Sequence, residues 1–142
     1  MKVEKRQEVI ETTVYIAEDG TEFNDRVDCE RYEEAEQFEK AQKRLREMPS
    51  FSMEPPGCDY YAYYSWVRLA NEKDLAALKL GEFHPDSTAH DYEAPSYPCW
   101  VLYHVDDQGD GYISGTLEEL WREFVEYHAS VLHQIEEKER KL

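Results

Sequence analysis

The sequence predicts one α+β domain, residues 1–142, with a mainly antiparallel sheet and helices packed on one face. Two segments, residues 14–33 and 101–124, each contain a strand, a glycine-containing turn, a short strand, a polar cap and a helix. These are two β-hairpin–helix units, and a short middle strand–helix lies between them. Hydrophobic residues make up 41% of the 142 residues, which is enough for the core of one compact domain.

The first unit begins with alternating, β-branched residues at 9–17, a pattern typical of a half-buried strand. The dipeptide at 19–20, Asp-Gly, predicts a tight hairpin with a return strand at 21–23. Asn24 or Asp25 can cap the next helix, whose apolar residues recur mostly at three- and four-residue spacings up to Met48. Pro49 ends this helix.

The middle unit follows a proline-rich segment at 49–58, which we interpret as a connector. The aromatic run at 60–70 predicts a strand. Asn71 caps a short helix, and Gly81 is the expected C-terminal cap. Residues 81–98 predict a long loop, and loops of that length in compact domains are usually functional or mobile.

The last unit has a strand at 99–105 and a return strand at 112–114. Thr116 and Glu119 form a T-x-x-E capping box for the final helix. One stripe of that helix carries Leu117, Leu120, Trp121, Phe124, Val125, His128, Leu132 and Ile135. Because the stripe extends further than one small sheet needs, the sequence leaves room for a homodimer through the C-terminal helix.

The segment from Asp106 to Leu117 is similar to an EF-hand calcium loop, but it departs from that pattern at the closing ligand. Leu117 stands where the bidentate Glu is required, and Glu118 comes one residue late. One residue on a helix turns the side chain by about 100°. The preceding residues also alternate like a strand, whereas an EF-hand needs a helix there. We therefore predict a hairpin without a metal.

No motif in the sequence predicts catalysis or a bound cofactor. The candidate zinc ligands Cys58, His84, His90, Cys99 and His104 do not show paired zinc spacing. Cys99 and His104 are five residues apart on one strand, so they are expected to face opposite sides of the sheet. The chain has no P-loop, nucleophile-elbow or dinucleotide-binding motif. We predict a protein that is not an enzyme and has no cofactor.

The chain is strongly acidic, with a formal net charge of −16. Residues 82–126 contain 11 acidic residues, and Arg122 is their only Lys or Arg. Such a surface repels nucleic acid and anionic membranes and attracts a basic protein, including one that itself binds nucleic acid. General solubility is a simpler explanation of the acidity, and the two remain alternatives.

Three features predict a cytoplasmic protein. The N-terminal residues lack the apolar segment of a signal peptide, and no apolar run of about 18 residues could span a membrane. Three widely spaced cysteines argue against a disulfide framework and for a reducing compartment.

The predicted interaction surface combines aromatic and acidic residues. One face of the aromatic strand should be core, and the other should present tyrosines suited to an interface. We assign this surface to Tyr61, Tyr63, Asp86, Asp91, Tyr92, Glu93, Asp106, Asp107 and Asp110. The alternative is a small-ligand binding protein, for example for a nucleotide signal, favoured by the long loop and the tyrosines. Its weakness is the lack of a basic or glycine-rich phosphate site.

One N-terminal pattern resembles small uncharacterised proteins of bacteriophages and prophages of Gram-positive hosts. It is carried by Tyr15, Ile16, Ala17, Asp19, Gly20, Phe23, Cys29, Tyr32 and Glu33. The resemblance implies an accessory protein that acts on host machinery, including host defence. We therefore predict a non-enzymatic protein that binds and modulates a host protein, as a counter-defence inhibitor whose acidic face imitates phosphate charge.

Overall fold

The computed structural model describes residues 1–58 and 63–142. Within these residues the chain forms three α-helices, a two-stranded hairpin and a four-stranded antiparallel sheet, which confirms the α+β prediction. The chain divides into two compact units, Met1–Phe38 and Glu39–Leu142. The hairpin belongs to the first unit, and the larger sheet belongs to the second.

In the first unit, β1 (Tyr15–Ile16) pairs with β2 (Glu22–Phe23) in an antiparallel hairpin. The turn closes where the Gly20 N–H donates to the Ala17 carbonyl at 2.9 Å, and Gly20 has a φ of 90° that favours glycine. The predicted hairpin is confirmed, but its first strand is shorter than expected. Residues 1–14 are exposed and form no strand, because no described segment pairs with them.

Helix α1 (Arg26–Glu47) follows the hairpin, as predicted. Asp25 supplies the cap, since its Oδ1 accepts the Val27 N–H at 2.8 Å. The Tyr32 hydroxyl donates to Asp19 Oδ2 at 2.6 Å, and its ring lies 5.1 Å from that of Phe23. These contacts join the hairpin to the first turns of the helix.

The segment after α1 contains a strand that the sequence did not reveal. Ser50–Ser52 forms β3, which pairs antiparallel with β4 (Tyr64–Leu69), so the connector interpretation of residues 49–58 was wrong for these three residues. The prolines that suggested a connector come later in the segment, and Pro49 lies just outside the strand. An edge strand needs pairing on only one side, which makes its sequence pattern weak.

The larger sheet has the order β3-β4-β5-β6, with every neighbouring pair antiparallel. Strand β5 (Cys99–Val105) and strand β6 (Gly111–Thr116) form the predicted second hairpin. An irregularity at Leu102/Tyr103 shifts the register between these two strands. β6 is longer than the predicted 112–114, because pairing extends to both of its ends.

The core of the second unit lies on one face of this sheet. Val67, Leu69 and Val101 from the strands pack with Leu75 and Leu78 of α2 (Glu72–Glu82), and all five are buried. Burial of one such side chain contributes about 1.5–3 kcal/mol. The packing of α2 on the sheet therefore supplies much of the stability of this unit.

Helix α2 starts as predicted but ends later. The Asn71 side chain caps it by accepting the Asp74 N–H at 3.2 Å. Gly81 was the expected C-terminal cap, but it lies inside the helix and Phe83 is the cap. A Cβ at Gly81 would lie 2.5 Å from Leu45 Cδ1 of α1, so the missing side chain serves close helix packing.

The long segment between α2 and β5 is part of the core. Phe83 and Ala89 are 5% and 2% exposed, and Tyr92, Ala94 and Tyr97 pack against the same cluster. A short 3-10 helix, Thr88–Asp91, lies in the middle of the segment. The predicted loop is therefore held in place by its apolar side chains.

Helix α3 (Leu117–Arg140) begins at the predicted capping box. The Glu119 N–H donates to Thr116 Oγ1 at 3.1 Å, and the Thr116 N–H donates to Glu119 Oε1 at 3.0 Å. The apolar stripe is present, but none of the residues of α3 is buried. The stripe of α3 is therefore exposed rather than packed on a face of the sheet.

Candidate functional site

The turn between β5 and β6 is held by one of the predicted acidic residues. Asp106 Oδ1 accepts the N–H groups of Gln108 at 2.8 Å and Asp110 at 2.9 Å. The Asp106 N–H in turn donates to the Asp110 carbonyl at 2.8 Å. Because a strand precedes the turn, the predicted hairpin is confirmed. The carboxylate of Asp106 closes this turn by local hydrogen bonds.

The segment after α2 contacts this turn and brings further acids to it. The His84 N–H donates to the Gly109 carbonyl at 2.9 Å, and Ser87 Oγ donates to the Gly111 carbonyl at 2.8 Å. Asp86 lies between these two anchors, and its side chain is 94% exposed. We call the exposed carboxylates of this region, Asp86, Asp106, Asp107 and Asp110, the acidic end.

The acidic end has few neighbouring cations. No Lys or Arg occurs between Lys79 and Arg122 in the sequence. Lys79 Nζ is bound to the backbone carbonyls of His90 and Tyr92 at 3.0 and 2.6 Å. Over the described residues, neither Asp107 nor Asp110 forms an ion pair. Their charges therefore remain available to a partner.

His84 is the histidine beside these acids. Its Nδ1 lies 3.7 Å from Asp86 Oδ2 and accepts the Asp86 N–H at 3.2 Å. Accepting this N–H requires a neutral nitrogen, so the hydrogen bond and a charged His84 exclude one another. In the hydrogen-bonded state, His84 therefore adds no positive charge to the acidic end.

The other interaction-surface residues predicted in the segment after α2 are Asp91, Tyr92 and Glu93, and they lie outside the acidic end. Asp91 is exposed at the last position of the 3-10 helix, and Glu93 is exposed beside α2. Tyr92 is partly buried, and its hydroxyl donates to Glu119 at 2.7 Å. Burial, and then this hydrogen bond, raise the pKa of Tyr92 well above its ordinary range. Tyr92 therefore connects the segment to the start of α3.

The other two tyrosines assigned to the interaction surface, Tyr61 and Tyr63, have different outcomes. Tyr61 lies outside the described residues. Tyr63 is 67% exposed and directly precedes β4. Within β4 itself, Val67 and Leu69 face the core, while Tyr64 and Trp66 face the other side of the sheet.

This other side carries an aromatic surface that sequence reasoning missed. The ring of Phe51 lies 6.4 Å from that of Trp66 and 5.5 Å from that of Trp100. The three residues belong to β3, β4 and β5, which are neighbours in the sheet. The alternation of β4 could have indicated Trp66, but Phe51 required recognition of β3.

A second aromatic group lies further along the same face. The hydroxyls of Tyr64 and Tyr112 are 2.7 Å apart, and this hydrogen bond raises the pKa of Tyr64 to about 12. The His104 ring lies 5.1 Å from Tyr64 and 5.5 Å from Tyr112. Its Nδ1 is buried without a hydrogen-bond partner among the described residues. The three rings therefore form one contiguous cluster on this face.

A groove of about 780 Å³ begins at the first aromatic group and reaches the start of α3. Phe51, Trp66, Trp100 and Leu117 form its apolar wall, and the cation Arg122 also lines it. Small-molecule pockets have volumes of roughly 300–1,000 Å³. The groove is therefore large enough for a small ligand.

The structure brings no other chemical site together in the part of the chain that it describes. Cys99 packs toward the core while His104 lies on the other face, as their spacing predicted. No group of three or more His, Cys, Asp or Glu side chains could hold a metal ion among residues 1–58 and 63–142. In the same residues, no helix is both long and apolar enough to cross a membrane.

Comparisons with protein-family models, curated proteins and solved structures find no match to this chain. The resemblance of residues 14–33 to phage proteins therefore stays a prediction.

Proposed function

We propose that the protein is a non-enzymatic accessory protein of phage type that binds a basic protein of the host cell through its acidic end. The observation that carries this proposal is the juxtaposition of Asp86 with the turn that contains Asp107 and Asp110. The His84–Gly109 hydrogen bond of 2.9 Å fixes this arrangement. Carboxylates on an ordered turn lose little conformational freedom when a partner binds them.

The chemistry of the acidic end suits a partner with Lys and Arg side chains. Carboxylates accept charge-assisted hydrogen bonds from both, as phosphate groups do. A row of exposed carboxylates without an intervening cation also steers a positively charged partner by its long-range field. The protein would thus compete with nucleic acid for a nucleic-acid-binding protein of the host, such as a defence factor.

The aromatic groove supports a second candidate, the binding of a small ligand. Its aromatic wall suits a planar apolar molecule, and its volume fits one. Glu118 and Glu119 line it together with Arg122, so its charge disfavours a nucleotide phosphate. Native mass spectrometry of the purified protein tests this candidate, with Trp100→Ala as the variant that should lose the bound mass.

The first experiment is an affinity capture from bacterial lysate at low and high salt, followed by mass spectrometry. We expect a basic protein to be retained at low salt and released at high salt, because screening weakens exposed charge pairs. The triple variant Asp86→Lys, Asp107→Lys, Asp110→Lys should lose that protein. Asp106 is left unchanged because its carboxylate holds the turn.

A matched control has the same change in net charge on exposed positions of α1. It is the triple variant Glu34→Lys, Glu39→Lys, Glu47→Lys, and it should retain the partner. Equal loss of the partner from both variants would mean that only the overall charge matters. Retention of the partner by the acidic-end variant would refute the proposal.

A further inference from the structure

Helix α3 exposes its apolar stripe along its whole length. Trp121, Phe124 and Ile135 are 65%, 58% and 51% exposed, and no residue of the helix is buried. A helix of 24 residues is about 36 Å long. Most helical stability in proteins comes from packing an apolar face, and isolated helices are marginal in water. The stripe therefore needs a cover that the described residues do not supply.

We propose that a second copy of this chain covers the stripe, with the two α3 helices antiparallel about a twofold axis near Glu126. Five of the stripe residues, together with Val131, form a series whose spacings alternate between four and three, which is the pattern of a helix-pair seam. In order, they are Leu117, Trp121, Phe124, His128, Val131 and Ile135.

This series of positions is symmetric about residue 126. In an antiparallel pair, Leu117 of one copy meets Ile135 of the other, and Trp121 meets Val131. Phe124 then lies against His128, whose ring has an apolar face. The Leu117–Ile135 and Trp121–Val131 contacts are thus wholly apolar, and Phe124 packs on the ring face of His128. Such mutual pairing of the same residues is what a self-complementary twofold interface requires.

The exposed area is sufficient for a stable dimer. Each half-exposed aromatic or large aliphatic side chain of the stripe offers on the order of 100 Å². Leu117 is 61% exposed, and the flanking Val125 and Leu132 are each 46% exposed. Two such faces would bury on the order of 1,200 Å², which is near the lower limit of specific, stable interfaces. A shallow depression lined by Leu117, Trp121 and Val125 offers a hole for a side chain of the second copy.

The charge of α3 favours the antiparallel orientation. Its first turns carry Glu118, Glu119, Glu123 and Glu126 against the single base Arg122. At its C-terminal end, Lys138, Arg140 and the adjoining Lys141 balance the charges of Glu136, Glu137 and Glu139. An antiparallel pair places this balanced end of each copy beside the acidic start of the other. A parallel pair would place the acidic starts together, and like charges across an interface are costly.

Sedimentation equilibrium of the full chain tests the pairing. The unchanged chain should have twice the monomer mass of 16.9 kDa. Trp121→Glu and Phe124→Glu should each shift the mass to that of a monomer. Both positions are exposed within one copy, so each variant should keep the fold, as circular dichroism would check.

Ser130→Glu is the matched control, because Ser130 lies on the opposite face of the helix. It adds the same charge and should leave the dimer intact. A dimer that survives both stripe variants would refute the proposed seam.

The orientation is tested with a nitroxide amino acid incorporated at position 140. An antiparallel pair centred on residue 126 places the two labels about 42 Å apart along the axis. In a parallel pair, the labels would be separated by about one interaxial distance, roughly 8–10 Å. Electron–electron double resonance detects the long distance, and the short distance would appear as dipolar broadening of the continuous-wave spectrum and would refute the antiparallel arrangement.

A chain that stays monomeric at all concentrations would refute the homodimer. Cosedimentation of that monomer with neutral phosphatidylcholine vesicles would assign the stripe to a lipid surface. A monomer that leaves the vesicles unbound would assign it to a different protein.

Discussion

At the scale of single residues, neighbouring aspartates in one turn have different roles. Asp106 accepts two backbone N–H groups, whereas Asp107 forms no hydrogen bond or ion pair within the described residues. The sequence assigned both to the interaction surface. Hydrogen-bond geometry separates a carboxylate that shapes the turn from one that is available to a partner.

This difference predicts the effects of two alanine substitutions. Asp106→Ala should lower the free energy of unfolding by about 1 kcal/mol, because two backbone donors lose their acceptor. Asp107→Ala should change it by less than about 0.5 kcal/mol, as for most surface positions. Urea unfolding of the two variants gives both values. Equal values would contradict the role of Asp106 in the turn.

A second carboxylate makes a testable contribution in the first hairpin. The hydrogen bond from Tyr32, and then that from the Thr21 N–H, hold the pKa of Asp19 well below its ordinary range. A depressed folded-state pKa stabilises the protein above the unfolded pKa of about 3.9, and this stabilisation is lost as the pH falls through the folded pKa.

Tyr32→Phe should therefore raise the pKa of Asp19 toward its ordinary value. Carboxyl-carbon NMR titration of Asp19 measures this shift. Tyr15→Phe is the control, since no hydrogen bond joins Tyr15 to Asp19, and it should leave the titration unchanged. An unchanged Asp19 titration in Tyr32→Phe would show that the hydroxyl has no such effect.

At the scale of elements, the pairing of β5 and β6 depends on one glycine. Gly111 pairs with Val105, and a Cβ at Gly111 would lie 1.9 Å from the carbonyl oxygen of His104. The obstructing atoms belong to the backbone, so a side-chain rotation cannot relieve the overlap. The strand can approach its neighbour this closely only because position 111 has no side chain.

Gly111→Ala should therefore lower the free energy of unfolding by about 2–3 kcal/mol, the usual cost of forcing extra atoms into a packed position. Ser114→Ala in the same strand is the control and should have a much smaller effect. Thermal and urea unfolding of both variants measure the difference. A value near zero for Gly111→Ala would mean that β6 can shift its position.

At the same scale, the difference between local signals and contacts between elements explains why some elements were missed. Local signals identify α1, α2 and α3 well, because caps and periodicity are properties of contiguous residues. They identify β3 poorly, since Ser50–Ser52 is a strand only by its pairing with Ser65, Trp66 and Val67. Gly81 was misread for a related reason, because its role depends on contact with Leu45 of another helix.

At the scale of the whole molecule, the net charge of −16 is unevenly distributed along the chain. The acidic end concentrates carboxylates on a segment without Lys or Arg, while the last turns of α1 and α3 each carry two bases. The three exposed features, the acidic end, the aromatic groove and the stripe of α3, are different in chemistry.

The sequence by itself determined the fold class, the two hairpins, the N-terminal caps of α2 and α3, and the acidity of residues 82–126. Turn chemistry, capping and periodicity act over a few residues, so a single chain displays them without knowledge of its fold. For the same reason, the sequence already grouped three of the predicted acids, since Asp106, Asp107 and Asp110 share one turn.

Only the tertiary structure decided which of these features meet. It joined Asp86 to the turn, built the wall of Phe51, Trp66 and Trp100 across three strands, and left the stripe of α3 exposed. These outcomes depend on contacts between residues that are distant in the sequence. An apolar stripe indicates that one face of a helix must be covered. Only the arrangement of the other elements decides whether the same chain covers it.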